Sequence, residues 1–83
     1  MTQIARSSRQ LGAAIQRVRK QRGLSQTDLA RLAGLRQELV SKIETGQEGT
    51  RLSSIYALFA ALDLEMVIDN RSGKSVLKIE DIF

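Results

Sequence analysis

The stretch LSQTDLARLAGLRQELVSKIETG, residues 24 to 46, restricts the fold more than any other part of the chain, because it encodes two short helices joined by a tight glycine turn. Ser25 stands where an N-cap belongs and Asp28 follows three residues later, so each side chain can satisfy a backbone N–H that the first helical turn leaves unpaired. The first helix of the pair is expected to start at Gln26, with Leu29, Ala30, Leu32 and Ala33 as its apolar stripe. Gly34 is placed to take the left-handed conformation that closes a helix C-terminus. The second helix, expected from about Arg36 to Thr45 and ending at Gly46, has Val40 and Ile43 on one face and Arg36, Gln37, Glu38, Ser41 and Lys42 elsewhere. A helix joined to its predecessor by so short a turn crosses it steeply and leaves its polar face pointing away from the pair. Guanidinium, amide, hydroxyl and ammonium groups in that position are the kinds that reach base edges.

The flanking segments supply a surface for this pair to pack on. Ser7 or Ser8 can cap a helix running to about Arg22, in which Leu11, Ile15 and Val18 fall at helical spacing while Arg9, Lys20 and Arg22 are left outside. Gly23 ends it, and Leu24 is placed to pack ahead of Ser25. After Gly46 comes a loop, QEGTR, whose Gly49 and Arg51 can approach a phosphate strand or simply connect two elements. Leu52, Ile55, Leu58, Phe59 and Leu62 then return to helical spacing, with Tyr56 and Phe59 as packing residues, so a further helix closes the core.

Beyond residue 64 the period changes. In Glu65 to Asp69, Met66 and Ile68 fall on one side and Val67 on the other; NRSGK over 70–74 is turn chemistry, and Ser75 to Ile79 alternates again. A β-hairpin is expected. Since a lone two-stranded hairpin is marginal in water, Met66, Val67 and Ile68 are expected to pair with a second subunit, which also hides a sheet edge. The organisation expected is therefore mainly α: a flexible arm over 1–8, a helix-turn-helix domain of four or five helices over 9–63, and a dimerising C-terminal hairpin and tail over 64–83.

Composition removes whole classes of function. At 83 residues the chain is one small domain, for which stabilisation by a partner chain is a reasonable expectation. The absence of cysteine and histidine removes disulfides, zinc sites built from those ligands, thiol nucleophiles and the usual general base at neutral pH. With neither clustered carboxylates nor a glycine-rich phosphate loop beside a lysine, no catalytic constellation can be assembled, and no cofactor is expected. No signal peptide or bilayer-spanning apolar run is present, so a cytoplasmic protein without membrane contact is expected. Residues 1–36 carry eight Lys or Arg against Asp28 alone, for a charge of +7, whereas residues 37–83 carry five against eight acidic residues, for −3; together these make the net +4. A basic first half joined to an acidic second half suggests a polyanion-binding part attached to a part with another task.

LSQTDLARLAGLRQELVSKIETGQ, with the basic helix before it, resembles the helix-turn-helix of phage-repressor-like (Cro/C1, XRE) transcription regulators. The loop GQEGTR leading into LSSIYALFAALDLEMVI narrows the resemblance, over roughly residues 9 to 69, to HipB-type antitoxins, whose toxin is a HipA-like Ser/Thr kinase. The resemblance implies a homodimeric repressor that binds an inverted-repeat operator in double-stranded DNA, autoregulates its operon and partners such a kinase. It also implies that Gln26 holds a phosphate, that Arg36, Gln37, Glu38, Ser41 and Lys42 read bases, and that Arg19 and Glu44 form a buried salt bridge between the first and third helices. Leu39 departs from the short polar residue common at its position, which implies either a contact with a thymine methyl or a slight rotation of the helix.

Physical chemistry supports a division of labour within that set. Arg36 can give two hydrogen bonds to a guanine, Gln37 can pair with an adenine edge, Glu38 can accept from cytosine or repel wrong bases, and Lys42 can reach a base or only a phosphate. Ser25, Gln26 and Thr27 at a helix N-terminus, with Arg51, suit phosphate oxygens and would set register rather than sequence preference. Two rivals to the antitoxin remain at this level: a free-standing phage- or plasmid-type repressor without a toxin, and a protein-interaction antitoxin with little DNA binding.

Overall fold

The computed structural model describes residues 3–71, which form four helices: α1 (Ser8–Gln21), α2 (Gln26–Ala33), α3 (Gln37–Glu44) and α4 (Leu52–Ala61). Their ends have local chemical causes. Ser7 caps α1 by accepting the Gln10 N–H at 3.1 Å. At α2 the capping box is complete: Asp28 N–H donates to Ser25 Oγ at 3.0 Å, and Ser25 N–H donates to the Asp28 carboxylate at 2.9 Å. That backbone N–H, and after it the Ser25 hydroxyl, hold the Asp28 carboxyl below its ordinary pKa. Gly34 closes α2 with φ of 70°, which lets Leu35 N–H return to the Ala30 carbonyl at 2.9 Å and turns the Leu35 side chain back onto the core.

The core is one cluster fed by all four helices. Ile15 and Val18 come from α1, Leu29 and Ala30 from α2, Val40 and Ile43 from α3, and Ile55, Leu58, Phe59 and Leu62 from α4 and its end. An eight-residue helix such as α3 has little stability of its own, so its position is set by packing against α1 and α2. At Gly12, α1 lies so near the end of α3 that a Cβ would run into the Ile43 carbonyl oxygen and come within 2.8 Å of that of Glu44.

Three side chains expected in the core face solvent instead. Leu32 is 62% exposed, because at helical pitch it lies about 100° from the centre of the inward face that Leu29, Ala30 and Ala33 define. Tyr56 is displaced from the inward face of α4 by a similar angle; it is exposed, its ring meeting Phe59 edge-on at 6.5 Å between centroids. Leu52, the first residue of α4, is also exposed.

The expected C-terminal hairpin is corrected as well. Among the described residues there is no strand, and Glu65–Asp69 lies outside any ladder. Alternating apolar residues make a strand only when a neighbouring backbone accepts and donates the ladder hydrogen bonds, and no described segment of this chain does so for 65–69. Leu64 packs on the core, whereas Met66 touches the Tyr56 hydroxyl through sulfur at 3.8 Å and Val67 and Ile68 are exposed. The second expected strand, Ser75 to Ile79, lies outside the described residues.

Gly12→Ala is expected to cost about 1–3 kcal/mol in urea denaturation, because the methyl group meets backbone atoms that cannot step aside; an unchanged midpoint would show that α1 and α3 can separate freely. The capping box predicts a pH signature. Asp28 has a depressed pKa in the folded state, so its contribution is present above the unfolded value and is lost as pH falls through the folded one. Asp28→Asn should therefore lower the denaturation midpoint at neutral pH, with the gap to wild type closing in acid.

Candidate nucleic-acid interface

The outward face of α3 is positioned from below by a buried ion pair. Arg19 of α1 meets Glu44, the last residue of α3, through two bonds, Nε to Oε2 at 2.6 Å and Nη2 to Oε1 at 3.0 Å. Its Nη1 donates to the Leu24 carbonyl at 2.8 Å, which fixes the segment entering α2. The Glu44 side chain has 0% exposure and that of Arg19 9%. Such a pair is tolerable only with this fork geometry and with the remaining polar atoms satisfied. Among the described residues no buried side-chain nitrogen or oxygen lacks a partner.

The network continues outward from Glu44. Gln26 Nε2 donates to Glu44 Oε1 at 3.0 Å, and Gln37 Nε2 donates to Gln26 Oε1 at 2.7 Å. A line of four side chains thus joins the core to the first residue of α3. The sequence points Gln26 to a phosphate and does not disclose these two bonds. The signal was an acceptor-only carboxylate on one element and two amides on the facing helix starts.

The remaining residues lie on α3, at the start of α2 and at the N-cap of α4. Arg36 is the exposed N-cap of α3; its guanidinium, which only donates, makes no cap bond to the helix N–H groups. Glu38 and Lys42 are exposed one turn apart, and Gln37 and Ser41, also one turn apart, are half-buried. Leu39 is half-buried against the core. The Thr45 hydroxyl donates back to the Ser41 and Lys42 carbonyls, closing the far end. At the start of α2, Ser25 is committed to the capping box with Asp28 through its N–H and its hydroxyl; Thr27 is exposed. Arg51, exposed at the N-cap of α4, belongs to a separate loop.

What this arrangement offers is a helix whose outer face presents donors and acceptors on a rigid base, beside a second helix N-terminus. Among the described residues no group of three His, Cys, Asp or Glu side chains could hold a metal ion, and no helix is long and apolar enough to cross a membrane. Fold and face together define a helix-turn-helix protein of the DNA-binding class.

Comparison with known proteins agrees and sharpens the class. The helix-turn-helix family model HTH_3 matches residues 15–68. The chain is 32% identical to antitoxin HipB of Escherichia coli strain K12 over 69 residues, spanning 83% of this chain and 78% of that protein. Its fold is similar to that of a HipA–HipB–O2–O3 complex, with a TM-score of 0.78 at 30% identity over 84% of this chain and 99% of the other. It is also similar to the restriction-modification controller protein C.AhdI from Aeromonas hydrophila, with a TM-score of 0.66 at 38% identity over 70% of this chain and 88% of the other. The chain belongs to the phage-repressor-like helix-turn-helix family and, within it, to the HipB-type antitoxins.

Removing one partner of the buried pair leaves an uncompensated charge. Arg19→Ala is expected to lose roughly 3–5 kcal/mol in chemical denaturation; a loss below about 1 kcal/mol, the range of an exposed pair, would contradict the role given to it.

Proposed function

We propose that this protein represses its own operon by binding an inverted-repeat operator as a homodimer, and that it is the antitoxin partner of a HipA-like Ser/Thr kinase in the cytoplasm. The observation that carries the DNA reading is the outward face of α3, where Arg36, Glu38 and Lys42 are exposed and Gln37 and Ser41 are held at half-burial on a fixed base. In this reading Arg36 and Gln37 enter the major groove to bond guanine and adenine edges, while Glu38, Ser41 and Lys42 complete the contact. Ser25, Gln26, Thr27 and Arg51 supply phosphate anchors through N–H, hydroxyl and guanidinium groups. The +7 charge of residues 1–36 gives the long-range attraction.

The dimer is supported by Met66, Val67 and Ile68, consecutive apolar residues exposed in the single chain, with Ile68 95% exposed. A second copy supplies the cover that such a segment requires. Twofold symmetry then sets two α3 helices about one DNA turn, ~34 Å, apart. The kinase partner is supported by the relative, since HipB forms a complex with HipA. Similarity to C.AhdI supports a second reading, a regulator without a toxin; co-purification of a larger kinase with the tagged protein from its intact operon separates the two.

Footprinting on the protein's own promoter should show two protected half-sites related by symmetry, and a single unsymmetrical site would refute the dimer. Arg36→Ala is expected to lose roughly 1–3 kcal/mol of affinity and relax preference at one base pair. Wild-type affinity should fall steeply with salt, and a salt-independent gel shift would refute phosphate contact.

A further inference from the structure

Glu44 is sealed from solvent, yet its chemistry reaches the surface. A carboxylate can only accept hydrogen bonds, so the amide group that faces Glu44 Oε1 at 3.0 Å must be the NH2 of Gln26. The Gln26 carbonyl oxygen is thereby turned to Gln37, whose Nε2 donates to it at 2.7 Å. Gln37 is left with its carbonyl oxygen and one amide hydrogen. An acceptor beside a donor complements the N6 donor and N7 acceptor of adenine. If the Gln26 amide were reversed, Gln37 would turn its carbonyl inward and present two hydrogens outward, the complement of the N7 and O6 acceptors of guanine. Arg19 donates two bonds to the Glu44 carboxylate and so fixes its orientation towards Gln26.

We propose that Glu44, without touching DNA, determines which base Gln37 selects, by fixing the hydrogen-bond polarity of Gln26 between them. The proposal rests on the major-groove reading of α3 given above. Glu44 is here a positioning residue, and its effect is distinct from its part in holding α1 to α3: a purely structural role would weaken binding to all sequences alike, whereas a polarity role changes the preference at one base pair.

The test is selection from a pool of random-sequence duplexes by the full-length wild type, Glu44→Gln, Gln26→Met and the double variant Gln26→Glu/Glu44→Gln, each with its denaturation midpoint measured. In Glu44→Gln an NH2 replaces one of the two carboxylate oxygens; with the remaining oxygen at the Oε2 position on Arg19 Nε, the NH2 faces Gln26 and the relay reverses. The wild type should prefer A·T over other pairs at one position per half-site by about 5- to 150-fold. Glu44→Gln should move that position toward G·C while other positions keep their preference. Gln26→Met leaves the ion pair whole and should flatten the same position. The double variant restores an acceptor-only group facing Gln37 and should recover A·T, with weaker overall affinity from the carboxylate near phosphates.

An A·T preference unchanged in Gln26→Met overturns the proposal even if Glu44→Gln does not fold. So does a loss in Glu44→Gln that is uniform across positions, or one that the double variant fails to restore. A wild type with no preferred sequence overturns the DNA reading itself, which separates that failure from survival of the A·T preference in the variants.

Discussion

The Arg19–Glu44 ion pair is the constraint on which the rest of the structure depends. Burying two charges costs several kcal/mol for each ion, and a well-packed apolar pair of similar volume would hold α1 to α3 at least as well. What an apolar pair would not give is direction. The fork of Arg19 accepts only one orientation of the Glu44 carboxylate, its third nitrogen pins the Leu24 carbonyl before α2, and the carboxylate still has a lone pair for Gln26. Three helices are thereby fixed relative to one another through a single buried group. Its contribution is geometric more than energetic, since it sets the orientation of α3 against α1 and α2.

The shortness of α2 and α3 makes this necessary. Eight residues each, they are below the length at which a helix persists alone in water, so propensity cannot place them. Leu29, Val40, Leu58 and Leu62, fully buried, supply the apolar energy, and Gly12 allows α1 close enough to the end of α3 for the ion pair to form. The capping box at Ser25 and the left-handed Gly34 then define where α2 starts and stops, and hence where Gln26 sits against Glu44.

Local chemistry was the most legible part of the sequence. Ser25, Asp28 and Gly34 act on backbone groups within a few residues of themselves, so the bounds of α2 followed from them directly, and Ile15, Leu29, Val40 and Leu58 declared themselves by spacing. Legibility failed wherever the answer depended on a second element. Leu32 and Tyr56 have the right composition for a core, but which part of a helix faces inward is set by its neighbours. Met66 to Ile68 alternate as a strand does, but a strand needs a partner backbone. The candidate site divides in the same way. The outward set Arg36, Gln37, Glu38, Ser41 and Lys42 follows from the helix period, and the Arg19–Glu44 pair came from resemblance to the family. The Glu44–Gln26–Gln37 links, between residues distant in sequence, required the fold.

On the function proposed above, α3 and the start of α2 form the surface that meets DNA. It is tested most directly by following backbone and side-chain amide resonances as a duplex from the protein's own promoter is added. The largest shifts should fall at residues 25–27 and 36–42, including the side-chain amides of Gln26 and Gln37, while the exposed face of α4 around Leu52 and Tyr56 stays unmoved. Shifts concentrated on α4, with residues 36–42 unchanged at saturation, would contradict it.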